Sequence, residues 1–361
     1  MTAKKKYVTR KVNRAVPKRT HLRTIRCKSR EQWLDARRCQ IQASEVGAIF
    51  GVGYANQNAA SVWYAKRHGE VEVDEETQEL FDIGLIMQPA ILNVFRYVTK
   101  LEVIDPVEHE LRTNQQYPLL GASLDGQVIN SDFSSEPLPL EVKNVSAHQA
   151  HEWRDGHIPL KYQVQCQVQM ACTDSPAAAI IGLIGGSRPL MSWLTRDDGF
   201  LDAAMPRLDE FWQAYKAGVL PDLDERPFVT KRVLDLLYGA DSGLAVELPD
   251  EAGAWIAARD WATKHAKICK EVAERASNHI RVAIGEDSFG VYGDRVFSNK
   301  QTVREERTRV VNVKAATFRT LREVKSLPKD VTVKAIAPPV EGAEPLLEER
   351  VRNDNDSTSE S

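Results

Sequence analysis

Two short motifs contain two carboxylates and an ammonium group that neighbouring strands would bring together. Asp125 lies in an L-D-G motif, and Glu141 and Lys143 lie in an L-E-V-K motif that begins at residue 140. Because alternate residues of a strand face the same side, Glu141 and Lys143 would project together, while Val142 would point into the opposite layer. Asp125, at the end of a neighbouring strand, would converge on Glu141. The arrangement suits metal-assisted cleavage of a phosphodiester.

The residue types predict which ion this site would take. Mg²⁺ prefers oxygen ligands and usually keeps several waters. Asp125, Glu141, the peptide carbonyl of Val142 and a phosphate oxygen of the substrate would complete its coordination. Lys143 would orient the attacking water or stabilise the charge that develops on the phosphate. The tripeptide E-V-K recurs at 323–325 without an upstream L-D-G motif, and we interpret this second copy as a surface element.

Composition excludes several classes of protein. The chain has 361 residues, of which 42% are hydrophobic and 27% are charged, which is typical of a soluble protein with one large domain or two smaller ones. It contains no apolar run of the ~20 residues that span a bilayer. The five cysteines form no C-x-x-C pair, which favours reduced intracellular thiols. We therefore expect a cytoplasmic protein without a membrane anchor.

Charge is distributed unevenly along the chain. Residues 1–30 contain twelve Lys or Arg and no acidic residue, whereas residues 341–361 contain seven acidic residues and two arginines. Both ends are typical of poorly ordered tails. The basic arm would raise DNA affinity through counterion release, or it would serve only as a charged solubility tail.

Periodicity predicts an α/β core, with a small sheet flanked by helices. Helices are expected over 31–50, with a break where Ser44 caps a second helix, and over 75–100, with a new helix beginning at Pro89. The remaining predicted elements are helices at 59–66, 147–153, 160–171 and 198–216, strands at 119–129 and 138–145, and a hairpin at 177–184 and 190–195.

The C-terminal part predicts an accessory segment that is mainly helical. A long helix over 251–283 carries Trp255, Trp261, Ile268 and Val272 near one stripe, and a hairpin follows near 290–296. The stripe is interpreted as a packing face, or as a contact for a partner or a sister subunit. The predicted division is an arm at 1–30, a core at 31–220, an accessory segment at 221–335 and a tail at 336–361.

Three histidines and one tryptophan have side chains that could bind a ligand, but a structural or surface role is the simpler interpretation of each. His148, His151 and His157 cluster in sequence, but no cysteine supports a zinc site, and surface or DNA-facing positions are expected. Trp63 has the chemistry to stack on an unpaired base, but core packing is the expected role.

Flanking motifs extend the pattern over about residues 33–170. They are a W-x-x-x-R motif that ends at Arg37, an A-S-E motif around Ser44, a G-x-x-x-Q-P motif that contains Gln88, and a Y-x-x-Q-x-Q-x-Q-M helix that contains Gln165. With the L-D-G and E-V-K motifs, they resemble in type and order the motifs of the YqaJ-type viral recombinase family, the lambda-exonuclease-like branch of the PD-(D/E)XK nucleases.

The resemblance implies a PD-(D/E)XK fold, Mg²⁺ or Mn²⁺ as cofactor, and 5′→3′ exonuclease digestion of linear double-stranded DNA. The 3′ overhangs would serve a single-strand annealing protein in phage-type recombination, in the bacterial host cytoplasm, and the family makes a homo-oligomer an expectation. By motif, Asp125 and Glu141 would bind the metal, and Lys143 and Gln165 would act in catalysis. Arg37 and Ser44 would bind the 5′-terminal phosphate of the DNA, a role that suits the donor fork of an arginine.

The chain departs from the family pattern at two positions. Gln88 replaces a helical Glu, and Cys39 replaces a Gly. Gln88 would hold a metal through water but adds no negative charge, so a second metal would bind more weakly, or Glu45 or Asp82 would contribute instead. A PD-(D/E)XK endonuclease and a catalytically weakened DNA-binding recombination factor are the alternatives.

Overall fold

The computed structural model describes residues 21–69, 73, 75–221, 226–239, 243–300 and 333–334. The chain separates into two units, and the division falls between Leu237 and Tyr238. The N-terminal arm up to residue 20, the second E-V-K copy and the acidic tail lie outside the described residues.

Helices of the first unit surround two sheets. They are α1 (Arg30–Arg38), α2 (Ala43–Ile49), α3 (Ala59–His68), α4 (Glu75–Thr99), α5 (Leu160–Thr173), α6 (Asp198–Ala217), α7 (Pro227–Leu237) and a 3₁₀ segment (Ala147–Gly156).

The central sheet of this unit has five strands and is mixed. Its strands, in spatial order, are β3 (Glu102–Ile104), β6 (Gly126–Ile129), β7 (Leu138–Val145), β8 (Ala177–Ile184) and β9 (Arg188–Thr195). β7 and β8 run parallel, and the other neighbours are antiparallel. Every residue of β8 is buried, as expected for a strand that is covered on both faces. The predicted α/β core with a small mixed sheet is confirmed.

Alternating side chains of this sheet pack into two different layers. On one face, Leu140 and Val142 of β7 pack against Leu92 and Phe95 of α4. On the other face, the apolar residues pack against α5 and the 3₁₀ segment, with Trp153 at the centre. Since Val142 belongs to the α4 layer, Glu141 and Lys143 face α5, as the strand periodicity predicted.

A smaller sheet of four strands lies in the same unit. Its order is β1 (Leu22–Arg26), β4 (Glu110–Asn114), β5 (Leu120–Ala122) and β2 (Ile41–Gln42), and only β2 and β5 are parallel. Residues 22–26 are therefore part of a sheet and not of a free basic arm. Trp63 is buried in the core between α2, α3, α5 and α6, so the expectation of core packing is confirmed.

The strand predicted over 119–129 is in fact two strands that belong to different sheets. β5 ends at Ala122 and β6 begins at Gly126, so Asp125 lies at the switch between the two sheets. Period-two patterning continues across such a switch, because both strands have a buried face, and the pattern alone could not reveal it.

Helix starts also differ from the prediction at two places. α4 runs through Pro89 without a new start. The carbonyl left without its helical donor belongs to Leu85, which is 68% exposed, so water can take the place of the lost bond. α2 is capped by Gln42, whose peptide N–H donates to Glu45 Oε2 at 2.7 Å, and Ser44 lies inside the first turn.

The boundary of the first unit lies after α7 and not near residue 220. Thr230 and Val233 of α7 are buried, and Thr230 Oγ1 accepts a hydrogen bond of 2.8 Å from Asn58 Nδ2. α7 is thereby attached to the start of α3, which the weak apolar pattern of this stretch did not predict.

The second unit consists mainly of the helix α8 (Ala252–Ile284), followed by the hairpin of β11 (Phe289–Tyr292) and β12 (Arg295–Ser298). β10 (Ala245–Val246) pairs in parallel with β13 (Val333–Lys334). The predicted packing stripe of α8 is exposed, with Trp255 and Trp261 at 63% and 64%, and the residues described for this unit do not cover it. Among the described residues, none of the helices has the length and apolarity that a membrane span requires.

Two leucines of α4 offer a matched test of this packing. Leu92 is 1% exposed beneath the central sheet, whereas Leu85 is 68% exposed. We expect Leu92→Ala to lower the free energy of unfolding by about 2–5 kcal/mol, and Leu85→Ala by no more than about 0.5 kcal/mol. Urea denaturation of both variants measures the difference, and equal losses would contradict the layer arrangement.

Candidate active site

The side chain of Asp125 accepts a hydrogen bond that takes the place of a backbone hydrogen bond between β6 and β7. β6 pairs with β7 only from Gly126 and Leu140 onward. Beyond that point, the peptide N–H of Val142 donates to Asp125 Oδ2 at 2.9 Å, so a side chain continues the pairing where the backbone of β6 has turned away. The carboxylate of Asp125 is thereby placed beside residue 141.

Glu141 and Lys143 form an ion pair under α5. Glu141 is 1% exposed, and its Oε1 lies 2.5 Å from Lys143 Nζ. A carboxylate this deeply buried requires hydrogen-bonding partners, because its loss of hydration is otherwise too costly.

Two glutamines of α5 supply further partners to Glu141. Gln165 Nε2 donates to Glu141 Oε1 at 2.7 Å, and Gln169 Nε2 donates to Glu141 Oε2 at 2.5 Å. The glutamines lie one helical turn apart, on the same face of α5. Gln167 points elsewhere and bonds the backbone of Thr195 and Asp197. Each oxygen of the Glu141 carboxylate is therefore fixed by its own amide donor.

Gln169 is the residue whose importance the sequence understated. Only Gln165 was predicted to act in the site, but the structure places the amides of both Gln165 and Gln169 on Glu141. Their spacing of four residues was the available signal. Gln165 reaches Lys143 indirectly, because both donate to the same oxygen of Glu141.

The cluster contains two carboxylates and one ammonium group. Burial, followed by the neighbouring charge of Glu141, raises the pKa of Asp125 to about 7. Burial by itself lowers the pKa of Lys143, but the neighbouring groups Glu141, Tyr54 and Asp125 together outweigh it, so the pKa of Lys143 lies above its usual value. Lys143 therefore stays protonated, while the two carboxylates repel each other.

Gln88 of α4 approaches the cluster from the side of Asp125. Its Nε2 lies 3.2 Å from the peptide oxygen of Asp125 and 3.3 Å from Asp125 Oδ1. Gln88 therefore meets the carboxylate as a hydrogen-bond donor. The predicted site residues Asp125, Glu141, Lys143, Gln165 and Gln88 are thus brought together in one place.

The donor set fits a magnesium-like ion. Asp125 and Glu141 are close enough to share a hydrogen bond, and a divalent cation between them would relieve the repulsion that raises the pKa of Asp125. Mg²⁺ commonly binds through only one or two carboxylates and completes its coordination with water. Within the described ranges, no cluster of three or more His, Cys, Asp or Glu side chains is suited to hold a metal.

The two substitute carboxylates proposed from sequence are engaged elsewhere. Glu45 Oε2 lies 2.8 Å from the ammonium group of Lys66, which is buried, and it also caps α2. Asp82 is exposed on α4 and accepts a hydrogen bond from Gln78. The structure places neither carboxylate with Asp125 and Glu141, so of the two alternatives, a substitute carboxylate or weaker binding of a second metal, the second is favoured.

Arg37 and Ser44 lie on elements that support the site. The guanidinium of Arg37 in α1 stacks 4.5 Å from the ring centre of Trp33, and Ser44 is exposed in the first turn of α2. α2 packs against α5, and β2 pairs with β5, the strand that leads to Asp125. Cys39, where the family has Gly, caps α1 with φ of −75°, a conformation that does not require glycine.

The histidines predicted near the surface are exposed. His151 Nδ1 contacts the peptide oxygen of His148, and His157 Nδ1 contacts that of Glu152.

Repulsion between the two carboxylates predicts an unusual effect on stability. Asp125→Asn removes one of the two negative charges, and its amide oxygen can still accept from the peptide N–H of Val142. We expect the Tm, measured without divalent metal, to rise by about 2–4 °C. Asp82→Asn, an exposed position on α4, is the control and should leave the Tm unchanged. A lower Tm for Asp125→Asn would contradict the repulsion.

Comparison with known proteins agrees with the geometry. Residues 32–176 match the family model of the YqaJ-like viral recombinase domain. The uncharacterized protein YqaJ of Bacillus subtilis (strain 168) is 27% identical over 199 residues, which are 54% of this chain and 60% of that protein. The chain thus spans about three fifths of the length of this relative.

Solved structures of exonucleases overlap with part of the chain. The alkaline exonuclease LHK-Exo of Laribacter hongkongensis is 18% identical, with a TM-score of 0.41, over 57% of this chain and 99% of its own. The same enzyme with dAMP is 20% identical, with a TM-score of 0.42 and the same coverage. A phage-related exonuclease from Haemophilus somnus 129PT is 14% identical, with a TM-score of 0.35, over 49% of this chain and 93% of its own.

The matched region includes α1, the strands that carry Asp125, Glu141 and Lys143, and the helix that carries both glutamines. Residues 32–176 of this chain are therefore similar to the YqaJ-like viral recombinase domain.

Proposed function

We propose that this chain is a metal-dependent 5′→3′ exonuclease that digests linear double-stranded DNA and leaves 3′ single strands for recombination by annealing. The observation that carries the proposal is the buried Glu141, bonded to Lys143, Gln165 and Gln169 beside the second carboxylate, Asp125. Such a cluster is costly to bury and is expected where it serves chemistry.

Asp125, Glu141 and the peptide carbonyl of Val142 would hold Mg²⁺, or Mn²⁺ in its place. When bound, the ion would polarise the scissile phosphate and lower the pKa of a bound water. Gln165 and Gln169 keep the carboxylate of Glu141 in one orientation, so the ligand is preorganised before any ion arrives.

Lys143 would act on the phosphate as a cation. The ion pair with Glu141 favours the protonated lysine, which suits stabilisation of negative charge. Its position on the same strand face as Glu141 places the ammonium group beside the metal ligands.

Arg37 and Ser44 would bind the 5′-terminal phosphate of the DNA. Arginine binds phosphate oxygens through paired donors, and the exposed hydroxyl of Ser44 lies in the first turn of α2. This assignment, the direction of digestion and the annealing partner derive from the family motifs. Assembly into a homo-oligomer is proposed on the same ground.

The decisive experiment compares linear and closed circular duplexes in the presence of Mg²⁺ or Mn²⁺. We expect the linear duplex to lose its 5′ label first, faster from 5′-phosphorylated ends than from 5′-hydroxyl ends, and the closed circle to remain intact. Nicking of the circle would favour an endonuclease. Unchanged linear DNA with both metals, together with salt-sensitive binding that is independent of metal, would instead favour a DNA-binding recombination factor.

The same assay tests the assigned lysine. Lys143→Ala should lower the cleavage rate by about 100-fold or more and leave DNA affinity within about threefold, because the group acts on the transition state. Lys231→Ala, at an exposed lysine of α7, is the control and should cut normally. Normal cutting by Lys143→Ala would exclude this site.

With Gln88 in place of a glutamate, we expect the site to bind Mg²⁺ more weakly. Gln88→Glu restores a third carboxylate beside Asp125, so it should lower the Tm without metal and lower the Mg²⁺ concentration for half-maximal stabilisation by roughly 3–10-fold. Gln78→Glu, exposed on the same helix, controls for charge. The readout is the Tm during Mg²⁺ titration, and an unchanged Mg²⁺ midpoint would remove Gln88 from the metal site.

A further inference from the structure

The loop between α2 and α3 turns four of its peptide oxygens toward one side chain. Arg226, which precedes α7, donates from Nη1 to the oxygens of Tyr54 and Gln57, the latter at 2.9 Å. Its Nη2 donates to the oxygens of Gly51 and Gly53, each at 3.1 Å. A planar guanidinium with several fixed donors can hold such a loop, whereas a lysine offers only one point charge.

Arg226 is itself held firmly at the start of α7. Its peptide oxygen accepts the N–H groups of Val229 and Thr230 at 2.9 and 3.2 Å, which closes the first turn of the helix. Thr230 in turn accepts from Asn58 Nδ2, the residue that caps α3 at the far end of the loop. The loop is therefore connected to α7 both through Arg226 and through Asn58.

The opposite side of the loop packs directly on α2. A Cβ at Gly53 would lie 2.7 Å from the peptide nitrogen of Ala48, a distance that real Cβ atoms do not adopt. The loop backbone is thus enclosed between α2 and the guanidinium of Arg226, which leaves little freedom for Tyr54.

Tyr54 extends from this loop to the active site. Its ring meets that of Tyr162 edge to face, with centroids 6.1 Å apart, and burial, followed by the neighbouring Tyr54, raises the pKa of Tyr162. The ring of Tyr162 lies 5.0 Å from Lys143 Nζ. Tyr162 therefore lies between Tyr54 and the ammonium group of Lys143.

We propose that Arg226 is a positioning residue for the active site, which fixes the loop 51–57 so that Tyr54 and Tyr162 hold Lys143 in place. Arg226 lies outside the region that matches the recombinase family, so a residue of the following segment completes the site. The effect on turnover rests on the proposed nuclease function, whereas the placement of Tyr54 does not.

The test replaces Arg226 with methionine, which keeps the length of the side chain and removes its donors. We expect Arg226→Met to lower kcat on linear duplex DNA by about tenfold or more, with KM within about threefold, because a small displacement near the reacting groups is costly to rate. Tyr54→Phe should lower kcat similarly. The double variant should be little worse than either single one, because both act through the same tyrosine.

A spectroscopic readout separates this proposal from the nuclease function. In protein labelled with 3-fluorotyrosine, Tyr54→Phe identifies the ¹⁹F resonance of Tyr54. That resonance should shift and broaden in Arg226→Met even if the protein proves to cut no DNA. If the wild-type chain does not cleave DNA, the proposed function is overturned. The ¹⁹F measurement still tests the placement of Tyr54 in that case.

Arg67→Met is the matched control. Arg67 donates to the peptide oxygen of Tyr215 at 2.8 Å and joins α3 to α6. It should leave the Tyr54 resonance and kcat unchanged. An unshifted Tyr54 resonance in Arg226→Met, or multiplicative effects of the two single variants on kcat, would overturn the proposal. If Arg226→Met does not fold, Arg226→Lys, which keeps the charge without the fork, takes its place in the same comparison, with the same outcomes deciding it.

Discussion

The carboxylate of Glu141 is the constraint on which the rest of the site depends. It is buried almost completely, and three donors from two elements meet its oxygens. Removing a carboxylate from water costs several kcal/mol unless its oxygens are bonded, so the helix that supplies two amides cannot drift from the strand that supplies the acid. The hydrogen bonds that satisfy Glu141 therefore fix the packing of α5 on β7 and the geometry of the site at the same time.

Asp125 shows how the two sheets of the first unit serve this site. The chain leaves the four-stranded sheet at Ala122 and enters the five-stranded sheet at Gly126, and the carboxylate lies in the three residues between them. At this switch the backbone of β6 is not available to Val142, and Asp125 takes its place. The consequence is a second carboxylate beside Glu141, with a repulsion that a divalent cation would relieve.

Support for the site also comes from beyond the family region. The loop that carries Tyr54 is enclosed by α2 on one side and by Arg226 on the other. α7, which the sequence assigned to an accessory segment, thus packs with the core and contributes to it. The ammonium group of Lys143 contacts Glu141 and lies over the ring of Tyr162, the neighbour of Tyr54.

The sequence by itself determined the layered α/β class, most elements of the core, and the residues of the carboxylate and lysine cluster. These are properties of local periodicity: alternate positions of β7 share a face, and residues four apart on α5 share a face, whatever surrounds them. Motif order then joined Asp125, Glu141, Lys143 and Gln165 into one hypothesis, and the structure places them together.

Only the tertiary structure decided which partners each charged group meets. Glu45 is a plausible metal ligand by type, but the buried Lys66 requires its charge, because an unpaired ammonium group in the core is costly. Gln169 became equal to Gln165 because Glu141 has two oxygens to satisfy, and Arg226 joined the site across 172 residues of sequence through its bond to Tyr54. The partner of each charged side chain depends on which groups are buried next to one another. That is decided by the packing of distant parts of the chain and not by any local stretch of sequence.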